Sequence, residues 1–333
     1  MKRERVEIVV EATVRTATLR AIYESMQEDP SIFIIGEGSR VKYSFDYPEI
    51  LRRFPDRVIT APVAEGGIVG VALGAALEGR RPIVDLTFND LSLRAMDEIV
   101  NHVAKVHFMT GGKLRARMVI KADFNRPENA QSGNRLESLF LHTPGLKVAI
   151  PSTPSDAHYF MRFALRGDDP FLLYEDRIIA MNEDEGQLES TTDLPFGTAR
   201  VVRRGEELTV VSYGCTLHFS LEALRDVGGS VEVIDLRTLN PLDIDTVSKS
   251  VSKTGRLLMV EPDHIRLGVG AEVAALVGES CFGSLTAPIQ RIGTENLLFP
   301  AAVSLQGYLL PSVAKIKEAM LRTLKSGGRR SKR

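Results

Sequence analysis

The stretch Thr60-Ala-Pro-Val-Ala-Glu-Gly-Gly-Ile-Val-Gly-Val-Ala-Leu-Gly74 decides how this chain is read. It follows Arg57-Val58-Ile59, a β-branched run that reads as the end of a strand. Pro62 then halts regular structure, and an apolar, glycine-rich segment over 65–77 predicts a helix. Small residues at 66, 67, 70, 72, 74, 75 and 76 let another backbone or a flat ligand come close to that helix. Glu65 is the single carboxylate of the segment and stands at its entry. On the residues alone two readings stay open. The carboxylate is either a favourable partner for the positive end of the helix dipole or a functional acid set in apolar surroundings.

Outward from this stretch, strand and helix alternate. Residues 11–28 show helical apolar spacing, stopped at Asp29-Pro30, and 32–35 is a compact apolar strand. A short helix over 48–54, a strand over 82–87 and one long amphipathic helix over 90–108 follow. Strands over 117–121, 145–150 and 171–174 and a helix over 155–166 complete the first half. An acidic, patternless run over 182–196 separates the halves. The second half repeats the alternation, with strands over 208–213, 231–235, 256–260 and 289–291. Its helices fall near 215–227, 242–252, 268–280 and 311–324. The expected fold class is α/β, with two doubly wound domains over 1–185 and 199–324. A linker over 186–198 and a basic tail over 325–333 complete the division.

Composition narrows the function classes. A length of 333 residues suits two domains. The net charge of −1 gives no electrostatic footprint for nucleic acid or a membrane surface. Cys215 and Cys281 are too few and too far apart for a disulfide framework or a zinc site. With no signal-type apolar core near Met1 and no long apolar run, the expectation is a cytoplasmic protein. Dinucleotide, P-loop and nucleophile-elbow motifs are all missing. The six histidines form no metal pattern. His142 reads as a helix-end residue, whereas His264 follows a strand end and can face a site or a boundary.

The segment over 61–75 resembles the Pro-Ile-Ser-Glu-x-Gly-Phe segment of thiamine-diphosphate-dependent 2-oxo acid dehydrogenase E1 β subunits. Asp97-Glu-Ile-Val-Asn-His-Val-Ala-Lys105, Met109-Thr-Gly-Gly112 and Thr143-Pro-Gly-Leu-Lys-Val148 resemble further segments of that family. So does Val233-Ile-Asp-Leu-Arg-Thr-Leu-Asn-Pro-Leu-Asp243, and the likeness runs collinearly over about residues 15 to 320. The resemblance implies a pyrimidine-binding domain followed by a transketolase C-terminal-type domain, with the cofactor held between subunits. It implies that Glu65 hydrogen-bonds the N1′ nitrogen of the aminopyrimidine ring and so activates the cofactor. Ile68, Phe88 and Asp90 then line the cofactor pocket. The family's diphosphate- and Mg²⁺-binding motif, Gly-Asp-Gly followed by Asn-Asn, does not occur in this chain. An α-type partner is therefore expected to supply it, in an α2β2 assembly that serves a lipoyl acyltransferase core.

Two positions depart from the family pattern. Asp90 stands where an aromatic residue usually packs on the aminopyrimidine, although Phe88 is close by. Ser132 aligns with a loop histidine that assists acyl transfer to lipoate, and no histidine occurs from 108 to 141. A hydroxyl can hydrogen-bond but cannot shuttle a proton near neutrality as imidazole does. Two further readings follow: a related decarboxylase or carboligase subunit that does not use lipoate, and a non-catalytic structural subunit.

Overall fold

The computed structural model describes residues 13–37, 48–124, 130–131, 134–180 and 194–326. In the first half, α1 (Val14–Glu28), β1 (Ile32–Glu37), α2 (Pro48–Arg53), β2 (Val58–Ala61), α3 (Glu65–Leu77) and β3 (Arg81–Phe88) come first. Then follow α4 (Val106–Met109), β4 (Val119–Phe124), α5 (Glu137–Leu141), β5 (Lys147–Ala149), α6 (Pro154–Arg166) and β6 (Phe171–Asp176). The second half opens with β7 (Arg200–Arg203), β8 (Leu208–Ser212), α7 (Cys215–Ala223), β9 (Val231–Asp235) and β10 (Thr238–Asn240). It continues with α8 (Ile244–Thr254), β11 (Leu257–His264), α9 (Val269–Cys281), β12 (Gln290–Thr294), α10 (Val303–Leu309) and α11 (Val313–Lys325).

Two twisted sheets result. The first has the order β10-β5-β6-β4-β3-β1-β2, and the second β12-β11-β8-β9-β7. Neighbouring strands are parallel except at two edges, where β10 runs antiparallel to β5 and β7 antiparallel to β9. The α/β expectation therefore stands, with mixed edges added. β10 lies late in the chain yet completes the first sheet, so the halves are interlocked. Both edge strands escape the sequence. β7 keeps Val201 and Val202 exposed, and β10 is three residues long.

Helices pack on both faces of the first sheet. Thr13 caps α1 through reciprocal bonds with Thr16, and Thr153 caps α6 ahead of Pro154. These two helices lie together over one face, where Ala21, Ile22, Met26, Phe160 and Met161 bury Ile34, Ile83 and Val119. On the other face Ile68, Val69 and Ala72 of α3 join Ile35, Val84 and Ile120. That core continues into the second half through Tyr213, Ile234, Met259 and Val273. Burial of this apolar surface is the main driving force for the arrangement.

The described end of the expected linker is packed rather than free. Phe196 stacks on Phe163 with ring centroids 4.6 Å apart, and Arg237 Nη1 donates to the Thr198 carbonyl at 2.6 Å.

The expected long helix over 90–108 is broken into three pieces. A 3₁₀ segment (Asn89–Ala95) leads into a π-helical turn (Glu98–Val103), and α4 follows. Buried Asn89 and Ser92 supply the physical reason: Ser92 Oγ donates to the Asn89 carbonyl at 2.5 Å, which favours the tighter turn. A second constraint comes from Gly145, where a Cβ would meet the Ala104 carbonyl oxygen at 2.1 Å. Among the described residues no helix is long and apolar enough to cross a membrane.

Candidate active site

The candidate site gathers at the C-terminal edge of the first sheet, where parallel strands feed their helices. β2 ends at Ala61, and after three intervening residues α3 begins with Glu65 in its first turn. Ala64, the N-cap, offers no capping side chain, so Glu65 is the acidic group at this helix start. Its side chain is only 2 % exposed. Neither Oε1 nor Oε2 has a hydrogen-bond partner among the described residues. Arg94 Nε stands 3.5 Å from Oε2 in an ion pair. An unmade hydrogen bond on a buried carboxylate is costly, so a group that supplies one gains from binding here.

The glycines of α3 act on two sides. Gly66 lets the 3₁₀ segment press against the helix: a Cβ there would lie 3.2 Å from the Arg94 carbonyl oxygen and 2.8 Å from Glu98 Oε1. On the opposite side Pro62, Val63, Gly67, Gly70, Val71 and Gly74 are exposed, with open space beyond Gly70 and Gly74. An apolar, small-residue face of this kind admits a flat ligand or a second backbone.

The other sequence-derived positions are distributed around this helix start. Ile68 is buried in the core one turn below Glu65. Phe88 closes β3 half-buried, with the Arg177 guanidinium 4.9 Å from its ring centroid. Asp90 is half-buried and accepts from Asn134 Nδ2 at 3.3 Å. Burial raises the Asp90 carboxyl above its ordinary range, and the Asn134 bond opposes that. Asn89 Nδ2 also donates to the Asn134 carbonyl at 2.8 Å, tying this corner to the chain just after Ser132. Ser132 itself lies outside the described residues.

Residues 10–181 match the transketolase pyrimidine binding domain, and residues 197–316 match the transketolase C-terminal domain. The β subunit of the pyruvate dehydrogenase E1 component of Rickettsia bellii is 37 % identical over 91 % of this chain and 95 % of its own. The β subunit of acetoin:2,6-dichlorophenolindophenol oxidoreductase of Cupriavidus necator is 35 % identical, over 95 % and 98 %. The β subunit of 2-oxoisovalerate dehydrogenase of Bacillus subtilis is 33 % identical, over 90 % and 94 %. The chain belongs to the transketolase-like family of E1 β subunits. Among solved structures, a split-gene transketolase in an inactive β4 tetramer shares the fold, with a TM-score of 0.78 at 21 % identity. That match covers 96 % of this chain and 100 % of the other.

Membership in the E1 β family carries dependence on thiamine diphosphate and implies an α-type partner. The site observed here fits that cofactor. Glu65, on the buried face of α3, presents two oxygens without a hydrogen-bond partner among the described residues. Among the described residues no three His, Cys, Asp or Glu side chains are placed to hold a metal ion.

Beside this candidate site, the fold buries a charged cluster that the sequence alone does not reveal. Lys121 is fully buried, with Nζ 2.9 Å from Asp123 Oδ1 and 3.0 Å from Glu175 Oε2. Burial pushes the neighbouring Asp85 up to about 6, with Asp123 and Glu175 adding to the shift and Lys121 opposing it. Arg177 Nε donates to Asp123 Oδ2 at 3.1 Å, so the cluster also anchors the guanidinium that covers Phe88. The signal in the sequence is Val119-Ile-Lys-Ala-Asp-Phe124, an otherwise apolar strand carrying two opposite charges at i and i+2 on one face.

A cleft between the two sheets borders the same edge. Arg135 pairs there with Asp176, whose Oδ2 also accepts from the Cys215 backbone N–H at 3.2 Å. His264 lines this cleft and is bonded through Nδ1 to the Glu295 carbonyl at 3.1 Å. His142 caps the end of α5.

Proposed function

We propose that this chain is the β half of a two-chain enzyme that decarboxylates a 2-oxo acid and passes the acyl group to lipoate. The observation that carries the reading is Glu65: a buried carboxylate at the start of α3, with neither oxygen hydrogen-bonded among the described residues. In this reading Glu65 holds a proton against the ring nitrogen of the aminopyrimidine. Ile68 packs beneath it, and Phe88 and Asp90 line the pocket. Bound thiamine diphosphate supplies the electron sink for the loss of CO₂. Ser132 serves as a hydrogen-bonding residue toward the reacting substrate.

The rest of the reading follows from what this chain lacks. No Gly-Asp-Gly…Asn-Asn motif occurs in it, so in this reading the α-type chain holds the diphosphate and Mg²⁺; the assembly we propose is α2β2 and cytoplasmic. A lipoyl acyltransferase core is the further partner. Residues 1–185 act as the pyrimidine-binding domain and 199–324 as the C-terminal-type domain, joined through 186–198 and followed by a basic tail over 325–333.

One observation favours a second reading. With no histidine from 108 to 141, the loop that aligns with the acyl-transfer histidine has no imidazole. A decarboxylase or carboligase subunit that does not use lipoate accommodates that absence.

The test is CO₂ release from a panel of 2-oxo acids by the chain co-expressed with an α-type partner, for wild type and Glu65→Ala. Turnover that collapses in the variant supports the first two readings, and addition of a lipoyl domain separates them by acyl transfer. A stable complex without turnover, or turnover indifferent to Glu65→Ala, makes this a structural subunit.

A further inference from the structure

Among the described residues Arg94 is the cation paired with Glu65, and its placement is informative. Its Nε lies 3.5 Å from Glu65 Oε2, while the side chain as a whole is 72 % exposed. The carboxylate is therefore anchored at the bottom of the pair and the guanidinium is free at the top. Backbone and side chain are also constrained differently. The Arg94 carbonyl is packed against Gly66, so the 3₁₀ segment stays in place while the side chain can swing into water.

We infer that Arg94 is a positioning residue that competes with the cofactor for Glu65. The ion pair holds the carboxylate in the unloaded chain and is given up when the pyrimidine ring arrives. The inference rests on the reading of Glu65 as the cofactor's partner.

Three physical points carry it. First, a buried carboxylate without hydrogen bonds is expensive, and in the unloaded chain the cost is offset by Arg94 and by the positive end of α3. Second, an exposed guanidinium returns to water at small cost, because solvent screens an exposed pair and hydrates the freed charge. Third, the two partners compete for one buried group: the guanidinium stands 3.5 Å from Oε2, on the carboxyl that a bound ring would hydrogen-bond. The loaded site is therefore better served with Arg94 withdrawn.

The test pairs binding with stability. In the complex with the α-type chain, thiamine diphosphate affinity is measured calorimetrically for wild type, Arg94→Met, Arg94→Lys and Glu65→Ala. Arg94→Met is expected to bind the cofactor about two- to fivefold more tightly, because the competing pair is gone, and Arg94→Lys to restore the wild-type value. Without cofactor, Arg94→Met is expected to lower the Tm when Glu65 is present and to leave it unchanged in a Glu65→Gln background. Equal or weaker cofactor binding by Arg94→Met, or a Tm effect indifferent to Glu65→Gln, overturns the inference while leaving the role of Glu65 intact. Cofactor affinity and CO₂ release both unchanged in Glu65→Ala would overturn the functional reading, and this inference with it.

Discussion

Arg237 and Asp156 meet at the junction of the two sheets, with 2.6 Å between Nη2 and Oδ1 and neither side chain exposed. Arg237 comes from the loop between β9 and β10, and Asp156 from the first turn of α6. Arg237 also donates to the Thr198 carbonyl, and Arg200 Nη1 reaches the other oxygen of Asp156 at 2.8 Å. One buried carboxylate thus ties α6, the start of the second half and the connection into β10. Removing one member of such a pair strands the other. Arg237→Met is expected to lower stability by about 3 kcal/mol, read from urea unfolding, with Arg200 limiting the loss. A change within about 0.5 kcal/mol would show that the pair does not hold the halves together.

Glu261 of β11 makes a prediction about pH. Burial pushes its carboxyl from the ordinary 4.5 up to about 8, with the Gly270 N–H opposing, Asp263 adding and Arg291 opposing. The folded state therefore holds this proton more tightly than the unfolded chain. Its contribution to stability is complete below about pH 4.5 and is lost as pH rises toward 8. Asp235, raised by burial from 3.8 to about 7, acts with the same sign. Glu261→Gln keeps an acceptor for the Gly270 N–H at 2.8 Å but cannot ionise. Its Tm is expected to fall less steeply than that of wild type between pH 5 and 8, so that the difference in its favour grows with pH. Parallel Tm profiles for the two proteins would contradict this.

Gly66 separates packing at the site from stability. A Cβ there meets the mobile end of Glu98 and the fixed carbonyl of Arg94. Gly66→Ala also gains about 1 kcal/mol of helix propensity, which offsets part of the crowding. Stability is expected to change by less than about 1 kcal/mol, while activity with the α-type partner falls about tenfold or more as the first turn of α3 is displaced. Measuring Tm and CO₂ release on the same preparation checks both halves. Retained activity would place the close contact outside the working site.

How far the sequence spoke for the fold depended on whether a residue's role was local. Ile32-Phe-Ile-Ile35 and Val231-Glu-Val-Ile-Asp235 read as strands because short β-branched runs are buried wherever they fall. The α3 helix was legible for a similar reason: its composition and the stop at Pro62 are local signals. The region 89–109 was not, since apolar spacing separates 3₁₀, α and π turns poorly and buried Asn89 and Ser92 decide the matter. β10 becomes a strand by pairing with β5, about ninety residues earlier in the chain. Within the site, Glu65 stood out as a lone acid in an apolar run. The partnership of Arg94 with it, and the burial of Lys121 among carboxylates, exist only once distant strands and helices are side by side.

The central claim is that Glu65 acts by carrying a proton. The direct measurement is steady-state CO₂ release by the complex with the α-type chain for Glu65→Gln, with cofactor affinity measured alongside. Glutamine preserves size and hydrogen bonding but cannot gain and lose the proton. The account predicts kcat lower by about 10²- to 10⁴-fold, with thiamine diphosphate affinity altered less than about tenfold. A kcat within about threefold of wild type would contradict it.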